Sequence, residues 1–170
     1  MGIENRVAIV TGGAGGIGAA TATRFAEGGT KVAVWDLADE AGEALAATLN
    51  EAGHTAVFNK VNVADGDSVA AGVEAVIEAW GRVDIMVNNA GIVRDGQLVK
   101  YKDGEVQKTM TDDMFDLVIN VNLKGVFNGT RAVVPHMIEQ GHGRILSTSS
   151  VVGLYGNFGQ TNYVATKSGV

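Results

Sequence analysis

Apolar and polar positions fall in alternating blocks along the chain. Short β-branched runs lie at residues 7–10, 31–35, 55–59, 83–87 and 144–148, the length and composition of buried strands. Between them, residues 16–27, 39–51, 67–80 and 114–140 are Ala- and Glu-rich with apolar residues at helical spacing. The first four strands start about 25 residues apart, the pace of strand–helix–strand units. Strands apolar on both faces with helices between them predict an α/β fold with a parallel sheet. Right-handed crossovers then make it an open, doubly wound sheet.

Residues 122–140 carry the clearest helical signal. Leu123, Val126, Phe127, Thr130, Val133, Val134, Met137 and Ile138 recur at three- and four-residue spacing, which predicts a helix facing the core. Pro135 lies within the stripe and is expected to bend it. Residues 94–113 are polar and irregular, with the charged run Lys100-Tyr101-Lys102-Asp103-Gly104-Glu105, and read as a solvated loop rather than a binding patch. No linker, repeat or low-complexity segment breaks the order, so residues 1–170 read as a single domain.

Composition sharpens this picture in one respect. Gly supplies 24 of 170 residues, about twice the ordinary share of ~7%. The glycines have no three-residue period and must therefore serve turns and close approaches. The balance of 13 basic against 19 acidic residues gives a net charge of −6 with no basic stretch, so no nucleic-acid partner is expected. Zero Cys removes disulfides, thiolate zinc sites and Cys nucleophiles together. His54, His136 and His142 are scattered without metal or triad spacing, so no metal site is assigned. No apolar run reaches about 18 residues and no leader pattern opens the chain. The expectation is a cytoplasmic protein without a membrane partner.

Five of the glycines fall together. Thr11-Gly12-Gly13-Ala14-Gly15-Gly16-Ile17-Gly18 follows the first strand and opens the first helix. Such a turn lets the backbone approach a pyrophosphate, with the helix N-terminus as the anion site. A P-loop would need Gly-Lys-Ser/Thr, whereas Gly18 is followed by Ala19-Ala20. Asp36 ends the second strand, 18 residues past Gly18. A carboxylate there accepts both hydroxyls of an adenosine ribose and repels a 2′-phosphate, which favours NAD(H) over NADP(H). The alternative role for Asp36 is as N-cap of the next helix.

Four further motifs complete a pattern. Asn88-Asn89-Ala90-Gly91 follows the fourth strand, and Asn122 opens Asn122-Leu123-Lys124-Gly125-Val126-Phe127. Ser150 lies past the fifth strand, and Tyr163-Val164-Ala165-Thr166-Lys167 opens the last helix. With the glycine turn, the whole chain resembles the short-chain dehydrogenase/reductase family, in particular its 3-oxoacyl-ACP-reductase-like members. The resemblance implies a Rossmann-type sheet of seven strands, five of them present here. It implies a pyrophosphate loop at Gly12, Gly16, Ile17 and Gly18, and a ribose acid at Asp36. It places an adenine contact at Asn62-Val63 and a wall beside the adenosine half at Asn89, Ala90 and Gly91. Asn122, Ser150, Tyr163 and Lys167 match the catalytic tetrad, with Tyr163 and Lys167 also touching the cofactor.

Elementary chemistry agrees with the tetrad. Tyr163 and Lys167 are four residues apart and project from one helix face. A phenol is a poor proton donor and acceptor at neutral pH, and a nearby ammonium improves the match by favouring the phenolate. Ser150 would orient a substrate oxygen; the resemblance gives Asn122 a water leading from Lys167 to solvent. Each residue also has a plainer alternative: Tyr163 and Lys167 as an amphipathic surface pair, Ser150 as a turn residue, Asn120 as a structural Asn. Tyr155 either lines a substrate pocket or fills a loop.

The expected activity is hydride transfer between NAD(H) and a secondary alcohol or ketone, with a 3-oxoacyl thioester as first substrate. A sugar, polyol or steroid alcohol is the second reading, and a nucleotide-binding module without turnover the third. Homo-oligomers are expected from the resemblance, through the helices beginning near Asn122 and Gln160. Two departures from the family stand out: the stretch between Gly91 and Asn122 is several residues longer, and the chain ends three residues after Lys167. The second suggests a truncated portion of a longer chain.

Overall fold

The computed structural model describes residues 2–170. Five parallel strands form the central sheet: β1 (Val7–Thr11), β2 (Lys31–Asp36), β3 (Ala56–Lys60), β4 (Ile85–Asn88) and β7 (Arg144–Ser147), in the order β3-β2-β1-β4-β7. Helices α1 (Gly16–Glu27), α2 (Asp39–Glu51) and α3 (Gly66–Trp80) connect the first four strands. After β4 come α4 (Asp112–Ile119), a π-helical turn (Asn120–Lys124) and α5 (Gly125–Glu139), then β7, the short α6 (Val152–Tyr155) and α7 (Thr161–Gly169). This is the doubly wound sheet that the block pattern predicts, of the Rossmann type that the resemblance implies.

Strand alternation divides the core into two layers. Val7 and Ile9 of β1 pack with Val69, Val73 and Val76 of α3 and Val133 and Met137 of α5. Ala8 and Val10 point the other way, onto Ala22 and Ala26 of α1 and Ala46 and Leu49 of α2. Both faces of the inner strands are therefore covered, as a parallel sheet requires, whereas β7 at the edge is exposed along its length. The winding reverses at β1, which pairs with β2 on one side (Val10↔Val34) and β4 on the other (Val10↔Val87). The crevice beyond the carboxyl ends of β1 and β4 is where such sheets bind ligands.

Local signals fix several helix ends. Asp65 caps α3 by accepting from the N–H groups of Asp67 and Ser68, and Gly81 ends it in the left-handed region at φ 75°. Thr111 caps α4 through Met114 N–H.

Two expectations need correction. Residues 94–113 are not a plain loop: β5 (Val99–Lys102) and β6 (Glu105–Thr109) form an antiparallel hairpin. Its two-residue turn is Asp103-Gly104, both at positive φ (56° and 84°), the combination that matches strand twist in a type I′ turn. Every residue of both strands is exposed, so the segment is solvated but ordered.

The predicted core stripe of the long helix is the second correction. The buried row is Gly125, Gly129, Val133 and Met137, together with Asn128. Phe127 and Ile138 are 55% and 72% exposed. Two glycines in the row bring α5 close to the sheet: a Cβ at Gly125 would lie 2.9 Å from Val63, and one at Gly129 would lie 2.5 Å from Asn88 Oδ1. Val133 and Met137 of the predicted stripe face the core, while Phe127 and Ile138 are displaced to the outer face. The helix runs through Pro135 to Glu139.

Candidate active site

A groove of about 450 Å³ opens at the carboxyl ends of the central strands. Gly12, Ile17, Asp36, Asn62, Val63, Asn89, Ala90 and Gly91, all expected at a dinucleotide site, line it. Gly15, Leu37, Val61, Ile92 and Val121 complete the lining. Gly16 and Gly18 are placed differently. Gly16 opens α1 at φ 52°, and Gly18 is buried under the turn, where a Cβ would collide with the Gly12 carbonyl. Gly12, at φ 61°, faces Ala90, whose Cα would lie 2.9 Å from an added Cβ. A Cβ at Gly15 would meet nothing within 4 Å, leaving main-chain N–H groups open at the start of α1.

Thr11 organises this region, a role that its place in the glycine motif does not signal. Its buried hydroxyl donates to the Val87 carbonyl (3.2 Å) and accepts from the N–H groups of Asn89 and Ala90 (3.0 Å each). Asn89 Nδ2 donates to the carbonyls of Thr11 (3.0 Å) and Gly12 (3.4 Å). These bonds fasten the glycine turn to the loop after β4 and hold the groove's floor rigid.

Asp36 is oriented by three main-chain donors. Oδ2 accepts from Ala14 N–H at 3.0 Å, and Oδ1 accepts from Leu37 N–H at 2.7 Å and Ala38 N–H at 3.1 Å. Ala38, not Asp36, is the N-cap of α2. The carboxylate therefore sits in the groove wall as a fixed anion. Asn62 is exposed, and its Oδ1 accepts from Ala64 N–H at 3.1 Å. Asn128, buried in α5, donates to the Val63 carbonyl at 2.9 Å and supports that wall from behind.

These features fit a dinucleotide on the chain's own geometry. The turn has open N–H groups where a Cβ has space, close packing where a side chain would clash, and an acid fixed at the end of β2. Among the described residues no cluster of three or more His, Asp or Glu has metal-binding proximity.

The second half of the site is carried by α7. Lys167 is 5% exposed, which rules out a surface pair. Its Nζ donates to the Thr148 carbonyl and lies 5.7 Å from the Tyr163 ring centroid. Burial pushes the Lys167 ammonium below the usual lysine range. Tyr163 is half-buried, facing the same side one turn earlier. Ser150, also half-buried, accepts from Val152 N–H at 3.4 Å. Its segment is tied to α7 by Ser149 Oγ donating to the Lys167 carbonyl (2.6 Å) and Ser168 Oγ donating to the Gly153 carbonyl (2.7 Å). Tyr155 is on the surface of α6.

Asn122 is fully buried in the π-helical turn. Its Oδ1 accepts from Ile92 N–H (2.8 Å), and its Nδ2 donates to the Ile92 carbonyl (2.9 Å) and Thr166 Oγ1 (3.4 Å). The side chain thus clamps the loop after β4 to α7. Gly125 N–H reaches back five residues to the Asn120 carbonyl, a π arrangement common at functional sites.

Asn162 is a positioning residue that sequence reasoning missed. It is fully buried; its Nδ2 donates to the carbonyls of Arg94 (3.0 Å) and Met114 (3.2 Å), and its Oδ1 accepts from Tyr163 N–H (2.8 Å). Adjacency to Tyr163 is the only local signal it offers.

Comparison with known proteins agrees with this geometry. The 3-oxoacyl-(acyl-carrier-protein) reductase FabG of Thermotoga maritima is 45% identical over 170 residues, covering 100% of this chain and 65% of its own. The hydroxy(phenyl)methylsuccinyl-CoA dehydrogenase subunit BbsD of Thauera aromatica is 42% identical over 170 residues, with 100% and 64% covered. The crystal structure of gox2181 superposes with a TM-score of 0.88 at 38% identity, covering 98% of this chain and 62% of gox2181. The chain therefore spans less than two thirds of the length of these relatives. Residues 6–170 match the short chain dehydrogenase family, and the chain belongs to that family.

Proposed function

We propose that the protein interconverts a secondary alcohol and a ketone with NAD(H), and that its substrate is a 3-oxoacyl thioester. The observation that carries this is the buried Lys167 ammonium beside Tyr163, on the helix that Asn122 and Asn162 pin to the wall of the dinucleotide groove. The names of the Thermotoga and Thauera relatives, which specify acyl-carrier-protein and CoA thioesters, support the substrate class. Gly12, Gly15 and Ile17 would hold the pyrophosphate, Asp36 the ribose, and Asn62 and Val63 the adenine. The nicotinamide, when bound, supplies the hydride in reduction and takes it up in oxidation.

The chain's residues handle the proton. In reduction Tyr163 Oη gives its proton to the substrate oxygen as negative charge develops there. Lys167, held by the Thr148 carbonyl, stabilises the charge left on the phenol oxygen. Ser150 Oγ donates to the same substrate oxygen and fixes its direction. Because both ends of the Asn122 amide are engaged by Ile92 and Thr166, any water it holds is bound by its main chain. The side chain's role is to fix the helix.

Leu123, Val126, Phe127 and Thr130 line an open apolar recess on the outer face of α5, with Gly169 and Val170 at its end. We assign that face to pairing with a second copy of the chain. The catalytic reading is tested by Tyr163→Phe in an NADH-oxidation assay with acetoacetyl thioesters. Loss of general acid–base catalysis predicts a fall of about 10²–10⁴-fold in turnover with NADH binding retained. Unimpaired turnover would overturn it.

A further inference from the structure

Lys100 and Lys108 stand directly opposite each other across the β5–β6 hairpin. Like charges in that relation destabilise a strand pair, and the chain as a whole is acidic, at −6. Neither lysine has a carboxylate within ion-pair distance among the described residues. Neighbouring Lys102 lies 3.8 Å from Asp103 and is paired in register with Glu105, while Asp95 accepts from Gln160 Nε2 at 3.0 Å. Two exposed ammonium groups are thus held together with no internal anion.

They line a recess of about 130 Å³ whose other walls include Gln97, Met110 and Met114. The recess is joined to the proton-transfer helix by short links. Gly96, on its rim, donates to the Gly159 carbonyl at 2.8 Å and bridges Gln160, the N-cap of α7. The carbonyl of Met114 accepts from Asn162, the residue before Tyr163.

We propose that Lys100 and Lys108 form an anion subsite for the phosphate of a pantetheine-type substrate handle, set beside the entrance to Tyr163. Lysine ammonium groups bind phosphate as point charges, and the methionines offer an apolar, adaptable floor to the arm attached to it. The inference rests on the thioester reading above. Coenzyme A and carrier-bound pantetheine share the phosphate, so the test includes both.

The test is a Lys100→Gln/Lys108→Gln double variant of the full chain. Its KM for acetoacetyl-CoA should rise about tenfold with kcat unchanged, as expected for losing two exposed charge pairs. Its KM for acetoacetyl-N-acetylcysteamine, which has no phosphate, should stay the same. A rise confined to the carrier-protein thioester would place the lysines against the carrier's own surface and overturn the phosphate subsite. The Lys100→Arg/Lys108→Arg variant should restore the lower KM, and 0.5 M salt should shrink the difference. Equal KM values in both proteins, or equal rises for all thioesters, overturn the subsite.

Calorimetric titration with 4′-phosphopantetheine, which lacks the adenine that the Asp36 groove would take, separates the two readings. Binding that the double variant weakens about tenfold supports the subsite even if no thioester is turned over, in which case only the thioester reading fails. Equal binding by both proteins, or binding by neither, overturns the subsite.

Discussion

Asp36→Asn tests dinucleotide choice at a single charge. The carboxylate is held by the N–H groups of Ala14, Leu37 and Ala38, so it cannot rotate away from an incoming 2′-phosphate. Two like unit charges about 5 Å apart repel by ~0.8 kcal/mol in water and ~3 kcal/mol at an effective dielectric constant near 20. A 2′-phosphate carries roughly −1.5 to −2 charges at neutral pH. Because Asp36 is only half-buried, solvent keeps the repulsion toward the lower end, about 2 kcal/mol, or ~30-fold in affinity. Losing the charged acceptor for the ribose hydroxyls weakens NADH by about a further 1 kcal/mol, ~5-fold.

The ratio of NADPH to NADH dissociation constants should therefore fall about 150-fold in the Asn variant, measured by fluorescence titration at low ionic strength. At 0.5 M salt the unsubstituted protein's preference should narrow, since screening weakens the repulsion. The Asn amide keeps one oxygen for the main-chain donors, so the fold should lose only about 1 kcal/mol, a few degrees in Tm. Tighter binding of NADPH by the unsubstituted protein, or a ratio unmoved by the substitution, would refute the reasoning.

Three further substitutions test the scaffold and the glycine turn. Asp84 is fully buried at the opposite end of the sheet and accepts from Arg82 (2.6 and 2.8 Å), Val7 N–H (3.0 Å) and Arg6 (3.0 Å). Burial alone would raise its pKa, but the bonds from Arg82, Val7 and Arg6 outweigh it and hold the carboxyl below its usual 3.8. Its stabilisation is complete above that value and is lost as pH falls through the depressed one. Asp84→Asn should cost about 3 kcal/mol near neutral pH, and urea melts should show a smaller loss of stability below pH 4 than in the unsubstituted protein. In the glycine turn, Gly18→Ala drives a Cβ into the Gly12 carbonyl and to 2.8 Å from Asn89 Nδ2. It should lower stability by about 1–3 kcal/mol and abolish NADH binding. Gly15→Ala, with open space at its Cβ, should leave Tm unchanged and weaken NADH alone, as calorimetry and thermal melts would show.

The site divides into residues that announce themselves and residues that do not. Glycines at a strand–helix junction, an acid at the next strand end and a Tyr/Lys pair one turn apart are local patterns, and the structure brings them to the carboxyl end of the sheet. The supporting residues are different. Asn162 reaches Arg94 and Met114, Asn128 reaches Val63, and Asn122 reaches Ile92. All bond to main-chain atoms distant in sequence, so nothing beside them in the chain signals the need. The hairpin has one local signal, Asp103-Gly104 between two short runs of β-forming residues. Solvent on both faces leaves it without the continuous apolar run that marks the strands of the central sheet.

The helix α5 shows why an apolar stripe can point the wrong way. Of the apolar stripe the sequence predicts, the sheet takes Val133 and Met137, extended by Gly125 and Gly129, and leaves Phe127 and Ile138 outside. Glycine adds little to a hydrophobic pattern, but it lets the helix axis approach until backbone meets Val63, Met86 and Asn88. Close approach gains dispersion contacts along the whole helix, and those outweigh the burial of a few larger side chains. The cost is an apolar outer face, with Phe127 and Ile138 more than half exposed. A monomer rarely keeps a contiguous surface of that kind uncovered. The packing that places Asn122 and Asn128 behind the groove is thus the same packing that leaves the opposite face of the helix apolar and exposed, the face proposed above for pairing with a second copy.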